Sequence, residues 1–334
     1  MIWTRRSFLS GLGLATLAAA CRREGPAPDR RPPPLPGGTD LVDPGWDPVH
    51  GRAPFQCDGD ELVELFDGAL IRRDAKRAEL WRVAIADARS FAVLPDHSVV
   101  VLAEPKTGRV VHHVIDGKLA STQPHHADTI LPMTSPTSYW AVSSWVEQVD
   151  LVGTAKHDQV PLPENTNVYA SDVLSDGSIA MANLWGILRF APALTTFKWD
   201  KGNPSHVGAG PDATTVWAAS SPHIMLASLA NDRATPVATH TLVAGEELVH
   251  FAGKGAHAAA IIAHTVGPHR AACSLVVYDQ SRELWRAPLG EHRSAWVALS
   301  ATRVAARLGA IDHASSLAPG LLRSWDLATG TEQT

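Results

Sequence analysis

The sequence predicts an all-β fold of seven four-stranded antiparallel units, on three observations. The 334 residues include 25 Gly and 24 Pro, so a turn-forming residue falls about every seventh position and long helices are excluded. A short β-branched segment recurs about every 40 residues. A Pro-Asp or Ser-Asp turn precedes several copies of it. One 40-residue unit cannot bury both faces of its sheet, whereas seven packed radially can, which predicts a seven-bladed β-propeller.

Residues 1–20 have the layout of an export signal. Arg5 and Arg6 precede about a dozen apolar and small residues that end before Cys21. That stretch is shorter than the ~20 residues of a membrane-spanning helix, so it predicts a secretory signal. The paired arginines before Ser-Phe-Leu resemble the bacterial twin-arginine signal, which implies export to the periplasmic side. An ordinary secretory signal that contains two arginines is the alternative.

The end of this segment carries a second resemblance. Ala18-Ala19-Ala20-Cys21 is similar to a bacterial lipoprotein cleavage box, although Ala18 stands where Leu is commonest. The resemblance implies that Cys21 is acylated, becomes the first mature residue and holds the protein on a membrane. Plain cleavage beside a cysteine is the alternative. Cys57 and Cys273 are then the remaining cysteines, too few for a disulfide framework.

Residues 21–54 are predicted to form a tether, and residues 55–334 are predicted to form the propeller. The first part of the tether is rich in Pro and Arg with almost no apolar side chains, so it should stay extended. The whole chain has 29 basic and 34 acidic residues. No basic face stands out, so we expect no nucleic-acid partner.

The second strand of each unit shows the repeat best. Its seven copies are Glu61–Leu65, Ser98–Leu102, Ser138–Val142, Ser178–Ala182, Thr214–Ala218, Ala258–Ile262 and Arg303–Arg307. Turns are predicted ahead of three of them, at Leu94–His97, Leu174–Gly177 and Gly210–Ala213. A further turn is expected after the third strand, at Glu104–Gly108 and at Asp326–Gly330.

One region permits a different interpretation. Glu61–Ala88 is rich in helix-forming residues and could form an amphipathic helix. Asp67-Gly68 interrupts it, and its Glu79-Leu80-Trp81-Arg82 recurs as Glu283-Leu284-Trp285-Arg286. The recurrence favours a fourth strand in both places.

The last unit resembles a WD-repeat blade. Gly290 and His292 lie near its start, and Trp325-Asp326 ends its third strand, although Glu291 separates a Gly-His pair that is adjacent in the family. Quinoprotein-like propellers are related to WD-repeat propellers, but this chain lacks their recurring Gly-x-x-Thr-Gly with a downstream Trp. The fourth strand of this blade could come from Thr331–Thr334 or from Asp40–His50.

Motifs of catalysis are sparse, and no catalytic residue is assigned. The chain lacks a Gly-x-Ser-x-Gly elbow, a phosphate-binding Gly-rich loop and His-Glu-x-x-His, yet it has 16 His. Four of them, His125, His126, His206 and His292, fall in links between units, which should meet at one rim of the channel. Imidazole and carboxylate groups could bind zinc, manganese or iron there, so the candidate ligands are His126, Asp128, His206, Glu247 and His292. Polar loops that are simply hydrated are the alternative, and no cofactor is assured.

Two classes of function remain. The favoured one is a lipid-anchored, non-enzymatic binding or scaffold module, expected as a monomer whose partner is a protein or a component of the cell envelope. The alternative is an exported metal-assisted hydrolase or lyase with its site at the channel mouth.

Overall fold

The computed structural model describes residues 55–66, 68–152, 157–164, 166–191, 193–267, 270–292, 294–309 and 321–333. The predicted signal peptide and tether, including Cys21, lie outside this range. The described residues form strands and turns throughout. None of them belongs to a helix long and apolar enough to span a membrane.

Twenty-eight strands are assigned in the described residues, and consecutive groups of four pair as antiparallel meanders that we number blades 1 to 7. Blade 1 contains β1 (Phe55–Asp58), β2 (Glu61–Phe66), β3 (Ala69–Arg73) and β4 (Glu79–Ala84). Blade 2 contains β5 (Ala88–Val93), β6 (Val99–Ala103), β7 (Val110–Ile115) and β8 (Lys118–Pro124). Blade 3 contains β9 (Thr129–Pro132), β10 (Ser138–Val142), β11 (Trp145–Asp150) and β12 (Val160–Pro161).

The remaining blades follow the same plan. Blade 4 contains β13 (Val168–Val173), β14 (Ile179–Asn183), β15 (Gly186–Ala191) and β16 (Ala193–Trp199). Blade 5 contains β17 (His206–Ala209), β18 (Thr215–Ser220), β19 (His223–Ala230) and β20 (Arg233–Thr241). Blade 6 contains β21 (Glu246–Lys254), β22 (His257–Gly267), β23 (Arg270–Tyr278) and β24 (Glu283–His292). Blade 7 contains β25 (Ser294–Leu299), β26 (Arg303–Gly309), β27 (Leu321–Asp326) and β28 (Glu332–Gln333).

The first strand of every blade borders a common central cavity, so these seven are the inner strands. They run in the same direction around the channel. The links from each fourth strand to the next inner strand therefore meet at one end, which we call the link mouth. The turns from first to second strands meet at the other end, the turn mouth. The turns from second to third strands return to the face of the link mouth, since successive strands are antiparallel.

Blades 4, 5 and 6 are joined into one twelve-stranded sheet. Outer strands β16 and β20 pair in parallel, and inner strands β17 and β21 pair in parallel where Ala209 meets Lys254. Glycine makes the second pairing possible. A Cβ added to Gly208 would lie 2.6 Å from the backbone of Gly253, so only paired glycines let the strands approach this closely.

The core consists of seven apolar clusters in the described residues, one between each pair of neighbouring blades. The joint between blades 3 and 4, for example, buries Leu131, Val142 and Met181. The smallest cluster closes the ring between blades 7 and 1, with Phe55, Leu62, Trp296, Ala298 and Ala305. Each sheet is thus covered on both faces by its neighbours, which is why its second strand is mostly apolar, as in Val99–Ala103.

The all-β propeller prediction is confirmed, and each predicted copy of the second strand begins within one residue of an observed second strand. The helical interpretation of Glu61–Ala88 is wrong, because this segment forms β2, β3 and β4. The fourth strand of blade 7 comes from the C-terminal end as β28. One turn was misplaced: Glu104–Gly108 follows the second strand of its blade, whereas Asp326–Gly330 follows the third strand as expected.

Candidate functional site: the link mouth and the channel

The predicted metal ligands lie at different depths of the propeller. His126 is exposed in the link before β9. Asp128, at the end of that link, accepts hydrogen bonds from the guanidinium of Arg109 and the hydroxyl of Ser143, so its carboxylate is already held by protein groups. Glu247 is exposed as the second residue of β21.

His206 begins the inner strand β17 and lies inside the channel rather than on the rim. Its ring packs edge-on against His250, with 5.7 Å between ring centroids, and against Phe251. The Ser205 hydroxyl lies 2.9 Å from its Nδ1. Burial lowers the pKa of His206 to about 4, so the ring is neutral near pH 7.

The five candidates are not gathered at one point in the described structure. Among the residues described, no three His, Cys, Asp or Glu side chains could share a metal ion. His292 ends β24, and its side chain lies outside the described part. Metal binding at the rim therefore stays a prediction.

An aromatic turn on the face of the link mouth was not predicted from the sequence. Asn183 is buried at the end of β14, and its Oδ1 accepts hydrogen bonds from the N–H groups of Trp185 (2.9 Å) and Gly186 (2.8 Å). This rigid turn presents Leu184 and Trp185 to solvent, with Trp185 69% exposed. The sequence Asn-Leu-Trp-Gly could have revealed it, because a turn closed by Asn and Gly cannot bury its central aromatic residue in a sheet.

Tyr169 lies beside this turn. The register of β13 and β14 shifts between Val168 and Ala170, so Tyr169 is the extra residue of a β-bulge opposite Asn183 and Ala182. It is exposed, as are Arg89 and Val249, which occupy the equivalent bulges of blades 2 and 6. Bulges re-aim side chains at the rims of closed sheets. We call Tyr169, Leu184 and Trp185 the aromatic patch.

The channel itself contains a cavity of about 470 Å³ that is open towards the turn mouth. Most of its polar side chains join neighbouring blades. Gln56 donates to the Phe91 carbonyl (3.0 Å), the Ala209 N–H donates to Asp172 (3.0 Å), and the Val297 N–H donates to His250 (3.4 Å). Asp58, at the turn mouth, pairs with Arg72 and His97. These groups hold the ring together, and their hydrogen-bonding capacity is largely used.

Solved structures that resemble the chain are β-propellers. The β-propeller domain of Cps50 (Swd1) from Myceliophteria thermophila has a TM-score of 0.61 at 11% identity, covering 81% of this chain and 95% of that one. Kluyveromyces lactis Hsv2 has a TM-score of 0.57 at 10% identity, covering 81% and 96%. Dihydro-heme d1 dehydrogenase NirN, solved in complex with DHE, has a TM-score of 0.53 at 14% identity, covering 85% and 65%.

At these identities the likeness establishes the fold alone. No protein-family model and no curated protein sequence matches the chain. The architecture and the neighbours together define the class: this is a β-propeller protein built from four-stranded antiparallel blades.

Proposed function

We propose that the protein is an exported, lipid-anchored and non-enzymatic binding module, a seven-bladed propeller that holds a protein partner of the cell envelope at its link mouth. The observation that carries this proposal is the aromatic patch. Trp and Tyr dominate the energetic centres of protein interfaces because they bury large areas at low conformational cost. The turn that presents Trp185 is already ordered by Asn183, so binding would lose little further entropy.

The position of the first described residue supports the same face. Phe55 begins inner strand β1 and lies at its link-mouth end. A lipid on Cys21 would therefore be attached on the side of the aromatic patch. The proposed tether of residues 21–54 would keep that side towards other components of the membrane.

The enzymatic alternative has less support. A catalytic metal site needs about three protein ligands that converge, and the described side chains offer no such group. Asp128, the best carboxylate candidate at the rim, is bound by Arg109 and Ser143. The export signal and the exposed patch are both accounted for by a binding module.

Site-specific crosslinking tests the partner surface. A photoreactive amino acid at Leu184 should give a discrete crosslinked protein in the native envelope, and Trp185→Ala should abolish that band. Val152 is a matched control because it is the most exposed large apolar residue of the described structure and lies after β11, on the face of the turn mouth. Equal crosslinking from positions 184 and 152 would contradict the proposal.

Fractionation tests the anchor. The full chain should sediment with membranes, and Cys21→Ala should move it to the soluble periplasmic fraction while its crosslinking pattern is retained. An Arg5→Lys, Arg6→Lys double variant should remain in the cytoplasm. Membrane association that survives Cys21→Ala would argue against lipidation.

A further inference from the structure

We infer that the channel cavity binds a small uncharged molecule whose hydroxyl group bonds to the Nε2 atom of His206 and whose short apolar body fills the rest of the cavity. The site lies within the ring of inner strands, and no residue of the aromatic patch lines it. It does not depend on the proposed function.

The first observation is an imidazole nitrogen that no described protein group uses. His206 begins β17 and lines the cavity, where its ring is packed against His250 and Phe251. Its Nδ1 faces the Ser205 hydroxyl, but its Nε2 has no hydrogen-bond partner among the described residues. This nitrogen is not enclosed, unlike the hydroxyl of Ser171, which is buried in the same wall without a partner. A molecule in the cavity can therefore reach Nε2.

The second observation is the hydrogen bond that sets the proton on this ring. The Ser205 hydroxyl donates to the Ala219 carbonyl at 3.2 Å. A hydroxyl has one proton, so the Nδ1–H of His206 donates to the Ser205 oxygen and Nε2 keeps its lone pair. Burial lowers the pKa of His206, so the ring is neutral near pH 7. The cavity thus contains a neutral acceptor that is oriented for the O–H group of a ligand.

The charged groups of the wall already have protein partners or water. Asp172 and Gln56 each bond to the backbone of a neighbouring blade. Asp58 pairs with Arg72 at the turn mouth. Lys254 ends β21 at that mouth and is exposed, so its ammonium group is hydrated. A charged ligand at the depth of the histidine would lose its water without gaining an ionic partner, which favours an uncharged one.

The rest of the wall indicates an apolar body. The volume of about 470 Å³ is within the range of small-molecule sites. Leu94, Met133, Val207 and Val297 are among the apolar residues that line it. His206 lies three residues before the turn-mouth end of β17, which places it about 10 Å deeper along the channel. A ligand would therefore enter with its hydroxyl group first and leave its apolar body between these side chains.

Calorimetric titration of the full mature chain carrying Cys21→Ala tests this inference. The probe is 4-ethylphenol at pH 7, and 4-ethylanisole is its methyl ether, which cannot donate a hydrogen bond. We expect the phenol to bind about five to ten times more tightly than the ether, the ratio that corresponds to one hydrogen bond to a buried acceptor. The charged analogues 4-ethylbenzoate and 4-ethylbenzylammonium should both bind more weakly than the phenol.

Variants locate the binding. His206→Phe keeps an aromatic ring against His250 but removes Nε2, so the phenol should bind no more tightly than the ether. His126→Phe is the matched control, because this histidine is exposed in the link before β9 and does not line the cavity. Met133→Trp should weaken the binding of both compounds by narrowing the cavity. Circular dichroism checks that each variant folds.

Three results would overturn the inference. The first is no binding of 4-ethylphenol at millimolar concentration, and the second is equal or tighter binding of the ether or of either charged analogue. The third is a preference for the phenol that His206→Phe leaves unchanged. The comparison of the compounds needs no variant, so it decides the question even if His206→Phe fails to fold. None of these results bears on the crosslinking at Leu184, so the two proposals fail separately.

Discussion

At the scale of single residues, the most consequential contact is an ion pair that closes the ring. Glu64 of β2 and Arg307 of β26 bond to each other with side chains 2% and 4% exposed. Arg73 donates a second charged hydrogen bond to Glu64 at 2.8 Å, and Arg307 also stacks over Phe66. The charged pair lies at the joint with the smallest apolar cluster, so specific polar contacts replace part of the missing core.

Removal of one partner should destabilise the fold strongly. Glu64→Ala leaves Arg307 buried without its carboxylate, and we expect a loss of about 3–5 kcal/mol in the free energy of unfolding, measured by urea denaturation. Glu283→Ala is the control, since its ion pair with Arg286 is exposed and should cost less than about 1 kcal/mol. Similar losses in the two variants would contradict this account of the joint.

Buried histidines should make stability depend on pH. Burial lowers the pKa of His240, which packs between Trp217 and Tyr278, although its hydrogen bond to the Asp279 carbonyl acts in the opposite direction. The unfolded chain then binds a proton more readily than the native protein. The free energy of unfolding should therefore fall as the pH drops below about 6.5, the ordinary pKa of histidine.

Denaturation at pH 7.5 and pH 5 measures this effect. His240→Gln should show a smaller decrease than the wild type. Part of the decrease will remain in His240→Gln, because burial lowers the pKa of other histidines in the same direction. These are His112, His113, His125 and His206. A wild type that is more stable at pH 5 would reverse the sign and refute the argument.

At the scale of strands and turns, the repeated Glu-Leu-Trp-Arg sequence has a structural explanation. Trp81 in β4 lies against Gly117, in the turn between the third and fourth strands of blade 2. Trp285 in β24 lies in the same way against Gly330 of blade 7, and its Nε1 donates to the Leu327 carbonyl at 2.8 Å. Strands β4 and β24 thus each pack a tryptophan against a glycine of the next blade.

Substitution of these glycines should lower the free energy of unfolding, because the tryptophan could no longer pack against the next blade. A Cβ on Gly117 would lie 2.8 Å from Trp81, and φ there is +71°, so Gly117→Ala combines a steric overlap with backbone strain. We expect a loss of about 2–4 kcal/mol by urea denaturation. Gly59→Ala is a matched control, because φ is +59° with no atom within 4 Å, and should lose only about 1 kcal/mol. Equal effects would exclude the contact as the cause.

Second strands could be predicted from the sequence more reliably than inner strands, and the reason is burial. A second strand is buried on both faces, so it appears as a continuous apolar run such as Val99–Ala103, and its repetition gives the blade count. Inner strands lack such a run and differ in length, since β21 has nine residues and β17 has four. β17 begins at His206, two residues before the close approach of Gly208 to Gly253, a tertiary contact that the sequence pattern does not show.

At the scale of the whole molecule, the ring is uneven. Parallel pairing joins blades 4, 5 and 6 into one sheet, whereas blades 7 and 1 meet through five buried apolar residues and the Glu64 pair. Blade 7 is completed by its own β28, and Arg77 of blade 1 contacts the carbonyls of Leu322 and Gln333 across the joint. The described contacts therefore make this joint the one most easily opened.

Native-state hydrogen exchange should detect this opening. Amides of β1 and β28 should exchange well before those of β14, β18 and β22, because local opening needs less free energy where fewer apolar contacts are broken. Glu64→Ala should accelerate exchange in blades 1 and 7 and leave β18 unchanged. Uniform protection around the ring would contradict a weak joint.

The candidate sites were harder to predict than the fold. The histidine content predicted a metal site at the rim, but the described side chains do not converge there. The position of Tyr169 in the aromatic patch depends on a β-bulge, which a sequence pattern does not show.

The closing pair also fixes an order of events during synthesis. Glu64 and Arg307 are 243 residues apart, so the strand that carries Arg307 is made long after the strand that carries Glu64. The first blade therefore keeps an uncovered side and an unpaired carboxylate until blade 7 has been made. Such a ring closes late in synthesis, which suits the proposed export of an already folded protein.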